Sequence, residues 1–444
     1  MLDIRFIREN ADAVRAAITN KNISLDLDGL FAADALRVKC LQEIEALQAE
    51  KNALNPLMQN AKIDSERQDA IAKGKEIKAK IDALEPKARE SVAVYDRLMA
   101  KVPNIVSPDT PVASTDAGNV EVARVGEQTK FPFAPKTHIE LGRALDILDL
   151  ERGTKVGGFR GYYLKNEGAL LQMALMMYAI RKLSDKGFVT MIPPTLVKAF
   201  PLFGSGYFKG TEYDGEVDEI YKVATDDLES DGSISKEAKF LVGTSEPSLL
   251  AYHSDEVLDE TALPMRYAGF SQCYRSEIGS YGKDTKGMYR VHEFMKVEQV
   301  VLTRADIGLA NRLQEEMVGI SEEMHRELGL PYRKLQICTG DMSAGKYRAF
   351  DLEAWMPGLD RYGETGSASN FLDWQSRRLN VKYQDAATGE RRHVYMLNNT
   401  ALASARTIIA ILENHQQADG SVVIPEVLRP FVGKDRIESR NREQ

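Results

Sequence analysis

The stretch that most constrains this chain is 268–301, AGFSQCYRSEIGSYGKDTKGMYRVHEFMKVEQVV. Its two ends are apolar and rich in β-formers. Its middle carries Gly279, Gly282 and Gly287 among Lys283, Asp284 and Lys286, so it reads as strand, charged loop, strand. Side chains alternate along a strand. Arg290, His292, Phe294, Lys296 and Glu298 then share one face, with Val291, Met295 and Val297 on the other. Arg275 and Glu277 share a face on the first strand. Such a surface suits a nucleotide, with guanidinium groups for phosphates, a ring for a base and carboxylates for an ammonium or a metal. The plain alternative is a solvated hairpin laced by salt bridges.

The chain has 444 residues, enough for two or three domains with a sizeable core. With 43% hydrophobic and 28% charged residues it has a globular composition. No apolar run approaches the ~20 residues of a membrane span, and MLDIRFIRENADAV lacks the layout of a secretory signal. Cys40, Cys273 and Cys338 lie far apart, which argues against a disulfide framework and against a zinc site. A cytoplasmic protein without zinc and without a membrane partner is expected. The net charge of −8 weighs slightly against nucleic-acid binding, though local basic patches still serve.

Residues 4–20 read as a short helix. Two heptad-patterned helices follow. Ala33, Cys40, Ile44, Leu47, Leu54, Met58 and Ala61 mark the first; Gly74, Ile77, Ile81, Leu84, Ala88, Ser91, Tyr95 and Leu98 mark the second. Joined by the polar turn at 64–68, they predict an antiparallel coiled-coil arm over about 30–101. Pro56 and Pro86 are expected to kink or interrupt it. Lys73, Lys80 and Lys87, seven apart, line one flank and suit phosphates. Glu43, Glu45 and Glu50 offer an ordinary coiled-coil alternative. VPNIVSPDTPV is a linker, after which strands and shorter helices alternate. GFVTMIPPTL reads as a strand closed by two prolines, 203–207 as a glycine turn, 226–237 as an exposed acidic loop and 433–444 as a polar tail.

Three further clusters are candidates for chemistry. Thr244-Ser-Glu246 offers a hydroxyl and a carboxylate for an amino acid, or a helix cap. Glu364-Thr-Gly-Ser367 offers hard oxygen ligands for magnesium, or a surface loop. Asn398-Asn-Thr400 precedes a helix expected over 401–414, where an N-cap is the plain reading. Arg406 in its first turn is harder to explain that way, because a cation there is unfavourable unless an anion is nearby.

The pattern Arg275-x-Glu277, then Arg290-x-x-x-Phe294-x-x-x-Glu298, resembles motif 2 of the class II aminoacyl-tRNA synthetases, and RSEIGSYGKDTKGMYRVHEFMKVE is similar to its seryl form. GFVTMIPPTL resembles motif 1, and 398–430 resembles motif 3. The two-helix arm, VPNIVSPDTPV, FAPKTHIELG and CTGDM carry the likeness over residues 1 to about 433. The resemblance implies an α+β fold, an antiparallel-sheet class II catalytic core over 111–433 behind an N-terminal tRNA-binding domain over 1–110, with 434–444 as tail. It implies a homodimeric serine–tRNA ligase using ATP and Mg²⁺ to make seryl-adenylate and charge tRNA(Ser), with tRNA(Sec) a further candidate. Arg275 and Arg406 are implied as catalytic. With Ser276, Glu277, Val291, Phe294, Glu364, Thr365, Gly366 and Ser367 they are implied to bind ATP, the adenine lying between Phe294 and Arg406. Glu364 and Ser367 are implied to hold Mg²⁺. Thr244, Ser245, Glu246, Arg275, Glu298, Asn398 and Thr400 are implied to bind L-serine, and Lys73, Lys80, Lys87, Lys283 and Lys286 to bind tRNA, with the 279–288 loop guiding its acceptor end.

The chain departs from that pattern in places. Asn398-Asn-Thr-Ala stands where the family has Asn-Gly-Ser/Thr-Gly, and Ser245 where it has Ala. A Gln-x-Pro after 203–208 is missing. The 226–237 insertion and Pro56 are further differences. Alternatives are a threonine or proline enzyme, whose extra domains are absent here; an amino-acid ligase for a carrier protein, which usually lacks the arm; and a catalytically dead RNA-binding protein, against which the arginines and Glu364 argue.

Overall fold

A computed structural model describes residues 1–60, 64–224, 228, 231–233, 235, 237–278 and 286–438. The chain divides into two compact units, Met1–Asn22 with Pro103–Gln444, and Ile23–Val102.

The smaller unit is a helical hairpin of α3 (Leu27–Asn60) and α4 (Asp64–Ala100), introduced by α1 (Ile4–Glu9) and α2 (Ala11–Asn20) of the larger unit. Lys73 pairs with Glu50 at 2.9 Å, and the Arg37 guanidinium lies 4.4 Å from the Tyr95 ring centre, so the two helices run antiparallel. Cys40, Leu54, Ile77, Ile81, Ala88 and Ser91 are buried, as the heptads predict. Both prolines were expected to interrupt these helices, yet both helices continue through them. Pro86 lies on the exposed face, where water can take the carbonyl it leaves unpaired. The single helix expected over 4–20 is broken at Asn10, whose backbone N–H and Nδ2 both donate to Phe6 O. The boundary expected at 110 also groups residues differently from the packing. Buried Lys21 Nζ donates to the carbonyls of Asn104, Ala344 and Lys346 at 3.0, 3.0 and 2.6 Å, which ties the first helices to the larger unit.

The larger unit is built on an eight-stranded sheet: β1 (Val120–Val125), β2 (Val189–Met191), β3 (Met265–Tyr274), β4 (Glu293–Thr303), β5 (Tyr332–Gln336), β6 (Arg348–Met356), β7 (Arg361–Asn370) and β8 (Tyr395–Ala403). Their order is β1-β5-β6-β7-β8-β4-β3-β2, antiparallel except for the β3–β2 edge. One face is covered by three helices, α6 (Asn166–Asp185), α8 (Ile307–Glu327) and α9 (Ser404–Asn414). Leu175, Met317 and Ile408 pack there against Val297, Val301, Leu397 and Ala401. The opposite face carries Lys296, Glu298, Thr400 and Asp351. Helix α5 (His138–Ala144) joins the same core through Leu141, whereas α7 (Ala199–Ser205) packs by Leu202 against Phe208 and Phe240 in a separate cluster. The α7 segment was expected to be a glycine turn. It is helical because Pro201 and Leu202 are buried, and Gly206, at φ +91°, caps it in the left-handed region.

Two bulges shape the polar face. The β6–β7 register skips Thr365, and the β4–β8 register skips Ala401. Thr365 turns its hydroxyl to His325 of α8, at 2.8 Å. The extra residue lets Glu364 and Ser367, three apart, face the same side, which strict alternation forbids.

Candidate active site

Above this polar face lies an open cavity, about 520 Å³ when the solvent at its mouth is included, lined by Arg275, Glu277, Phe294, Lys296, Glu364, Thr400 and Arg406 among others. At one end Arg406, on the first turn of α9, donates from Nε to Tyr289 O at 3.1 Å. Its Nη1 donates to Glu364 O at 2.9 Å and to Glu364 Oε2 at 3.0 Å. Its guanidinium stacks 4.6 Å over the Tyr289 ring. Burial raises the Glu364 carboxyl, but the charge and hydrogen bond of Arg406, together with the Arg275 and Lys346 charges, outweigh it and hold the group below its usual range. The Arg275 guanidinium lies 5.3 Å from the Phe294 ring centre, and Arg290 Nη1 donates to Glu277 Oε2 at 2.6 Å. Glu277 adopts φ +55°, a strained backbone for a non-glycine residue.

Behind the other end, where Lys296 and Thr400 line the cavity, lie two buried carboxylates, Glu298 and Glu246. Glu298 accepts from Lys296 Nζ at 2.5 Å, and Thr400 Oγ1 lies 3.4 Å from both Glu298 Oε2 and Lys296 Nζ. Among the described residues no cation pairs with Glu246. Asn398 Nδ2 and Gln375 Nε2 donate to its Oε1, each at 2.8 Å, and Tyr207 Oη donates to Oε2 at 3.3 Å. Burial, then the nearby Glu298 charge, push its pKa up to about 7. The pocket therefore lacks one positive charge next to Glu246, and an ammonium ligand would supply it.

Between the ends, Asp351 pairs across the strands with Ser367. Burial and the Glu364 charge push its carboxyl up to about 7, and its Oδ1 has no hydrogen-bond partner among the described residues. A hard cation fits there, because Asp351, Glu364 and Ser367 present oxygen donors and one of those oxygens is otherwise unsatisfied.

The structure gathers Arg275, Glu277, Val291, Phe294, Glu364, Thr365, Gly366 and Arg406 on one cavity wall. Ser276 lies beside it, with its Oγ buried and unpartnered among the described residues. Thr365 contributes backbone only, since its side chain faces α8. Thr244 Oγ1 accepts from Glu246 N at 3.3 Å, and Ser245 Oγ donates to Gly269 O at 3.2 Å. The 364–370 segment is a largely buried strand, not a surface loop. Asn398–Thr400 lie within β8, not in a helix cap, and the helix begins at Ser404 rather than 401. Strand β4 begins only at Glu293, so Arg290 and Val291 do not alternate and both line the cavity. Lys73, Lys80, Lys87 and Lys286 are exposed; Lys80 pairs with Glu76 at 2.7 Å. Lys283, most of the 279–288 loop and part of 226–237 lie outside the described residues. Sequence reasoning missed Tyr207, Gln375 and Asp351. It placed Lys296 on the right face but gave it no role.

The sequence matches the family model described as the seryl-tRNA synthetase N-terminal domain over residues 1–106, and the class II core domain (G, H, P, S and T) over residues 221–415. It is 41% identical to a serine–tRNA ligase of Treponema denticola over 439 residues, covering 98% of this chain and 100% of that protein. It is 42% identical to one of Deinococcus radiodurans over 433 residues, covering 98% of each. The chain belongs to the seryl-tRNA synthetase family. Its fold agrees. A crystal structure of the seryl-tRNA synthetase from Pyrococcus horikoshii, complexed with ATP, superposes with a TM-score of 0.85 at 35% identity, covering 99% of this chain and 100% of that one. The cytoplasmic serine–tRNA ligase of Naegleria fowleri, in complex with AMP, gives a TM-score of 0.83 at 31% identity, covering 99% of each. The chain is thus an aminoacyl-tRNA synthetase with the class II core and helical arm that its sequence implied. Among the described residues, no helix is long and apolar enough to cross a membrane.

Proposed function

We propose that this chain activates L-serine with ATP to seryl-adenylate and transfers the seryl group to tRNA(Ser). The observation that carries this reading is the uncompensated Glu246 carboxylate, set beside the Lys296–Glu298–Thr400 cluster. Glu246 takes the serine ammonium. Glu298 and Thr400 take its hydroxyl; a substrate without one forgoes those contacts, at about 1.5–3 kcal/mol for the hydrogen bond to the charged carboxylate, while the pair keeps Lys296.

ATP occupies the wall lined by Arg275, Phe294 and Arg406, the adenine near Phe294 and the phosphates toward the guanidinium groups. The serine carboxylate attacks the α-phosphorus in line, and the bond to the β-phosphate breaks to release pyrophosphate. A terminal ribose hydroxyl of tRNA then attacks the seryl carbonyl and AMP leaves. No protein nucleophile is needed; Arg275 and Arg406 position the phosphates and offset the developing charge. Glu364 and Ser367, with Asp351 beside them, would hold Mg²⁺, which would supply charge neutralisation for the phosphate oxygens.

Residues 1–110, with the lysines at 73, 80 and 87, form the tRNA-binding part of this reading, and Lys283 and Lys286 lie at the acceptor-end loop. A homodimer is supported by an apolar stripe on α6, where Leu170, Met173 and Met177 recur at helical spacing and remain exposed, together with exposed Val189 and Ile192. Cytoplasmic residence, and tRNA(Sec) as a further substrate, belong to the same reading. The test is charging of tRNA transcripts with labelled serine. Serylation of tRNA(Ser), and none of tRNA(Thr) or tRNA(Ala), is expected; charging of tRNA(Thr) instead would overturn the assignment.

A further inference from the structure

The cavity wall is held from behind by a buried pair that contributes nothing to its lining. His138 and Glu413 are 1% and 0% exposed. His138 opens α5, and both its backbone N–H and its Nδ1 lie 2.9 Å from Glu413 Oε1. Glu413 Oε2 accepts from Gly358 N at 2.9 Å. The other ring nitrogen, Nε2, lies 3.2 Å from Met288 N. A backbone N–H only donates, so Nε2 must be the unprotonated nitrogen and Nδ1 must carry the proton to Glu413. That single tautomer satisfies both contacts.

What the imidazole holds is the segment that leads into the returning strand of the hairpin, which begins at Glu293. Gly287, at φ +72°, lies so close that a Cβ there would come within 2.1 Å of Nε2. Met288 is fully buried. The next residue, Tyr289, is the rest for Arg406, taking its Nε on the carbonyl and its guanidinium on the ring. Arg361 stacks on the same ring at 4.5 Å. Arg406 and Glu413 are seven residues apart on α9, two turns along one side of the helix. The helix therefore grips residues 288–289 twice, directly through Arg406 and indirectly through Glu413 and His138.

We propose that His138, fixed as its Nδ1–H tautomer by Glu413, is a positioning residue for Arg406. It sets the Met288–Tyr289 backbone and so the ATP side of the cavity, without acting on the serine side. The inference deepens the proposed function and rests on Arg406 being an ATP contact.

The test is ATP–pyrophosphate exchange by the full-length enzyme, with KM measured separately for ATP and for serine. His138→Asn keeps a donor for Glu413 but is too short to reach Met288. His138→Gln places an amide oxygen where Nε2 lies. His138→Asn is expected to raise the ATP KM about tenfold, the size of one lost buried hydrogen bond, with the serine KM within about twofold of wild type. His138→Gln is expected to recover to within about threefold. Gly287→Ala, which crowds the same nitrogen from the loop side, is expected to reproduce the ATP effect and serves if His138→Asn does not fold. Equal loss in both KM values, or an ATP KM unchanged in both His138→Asn and Gly287→Ala, would overturn the positioning role. Wild-type enzyme that shows no serine-dependent exchange would instead overturn the functional reading, and calorimetric titration of ATP into wild type and His138→Asn then decides the inference by itself: a matching tenfold weakening supports it, and equal affinity overturns it.

Discussion

Replacing Glu246 by Gln separates the two things this carboxylate does. The amide fits the site as built. Its oxygen, in the place of Oε1, still accepts from Asn398 and Gln375, and its nitrogen donates to Tyr207 Oη. Folding should not suffer; it should gain. The rise of the carboxyl from 4.5 to about 7 corresponds to about 3 kcal/mol against the ionised form. The sign follows from proton uptake. Between the two values the folded chain holds a proton that the unfolded chain has released, so the group favours the fold at low pH, and that advantage is lost as pH climbs through about 7. Glu246→Gln should therefore melt higher than wild type at about pH 8, with the difference shrinking toward about pH 5. Serine binding should move the other way. A charge-assisted contact to the substrate ammonium is worth about 1.5–3 kcal/mol, so the serine KM should rise about 10- to 150-fold while the ATP KM holds. In wild type the serine KM should climb as pH falls below about 7, and in the variant it should not. Thermal melts across pH, with and without serine, and exchange kinetics read all three effects. A variant that binds serine as wild type does, or a wild-type serine KM that is flat from about pH 6 to pH 8, would refute the reasoning.

Arg406→Ala removes the guanidinium that holds both Tyr289 O and Glu364; the exchange rate should fall about 10²- to 10³-fold, measured at saturating ATP and serine. Thr400→Val keeps the shape of the pocket but removes the hydroxyl near Glu298 and Lys296; the preference for serine over alanine in kcat/KM should shrink by about 5- to 150-fold. Alanine at Lys73, Lys80 and Lys87 together should leave exchange unchanged, raise the KM for tRNA and flatten its salt dependence in charging assays.

Legibility differed from one segment to the next. The hairpin around 268–301 was readable because apolar ends rich in β-formers flank a glycine-rich loop, and the arm because its heptads bury Cys40, Leu54, Ile77 and Ile81. The start of β4 was not. His138 takes Met288 N–H and His292 Nδ1 lies 2.8 Å from Arg275 O, so residues before Glu293 leave the alternation that the sequence suggests. Residues 364–370 resembled a loop because a strand lining a polar cavity has small polar side chains where a core strand has Val or Ile. The bulge at Thr365 that turns both Glu364 and Ser367 inward leaves no mark in the composition. Tyr207, just past the end of α7, and Gln375 meet Glu246 from 39 and 129 residues away, so no local pattern announced them. Asp351 sits in an apolar run, where only the paired strand explains its burial beside Glu364. The family motifs named residues of the site; the hydrogen bonds that hold those residues depend on the tertiary fold.

The central claim is that the Glu246–Glu298–Thr400 pocket selects serine for adenylation. The most direct measurement is ATP–pyrophosphate exchange with each of the twenty amino acids in turn and tRNA absent. The account predicts exchange with serine, little with threonine or alanine, and its loss in Arg406→Ala. Exchange driven by threonine, alanine or glycine in place of serine would contradict it and would mean that Asn399 and Ala401 have reshaped the pocket.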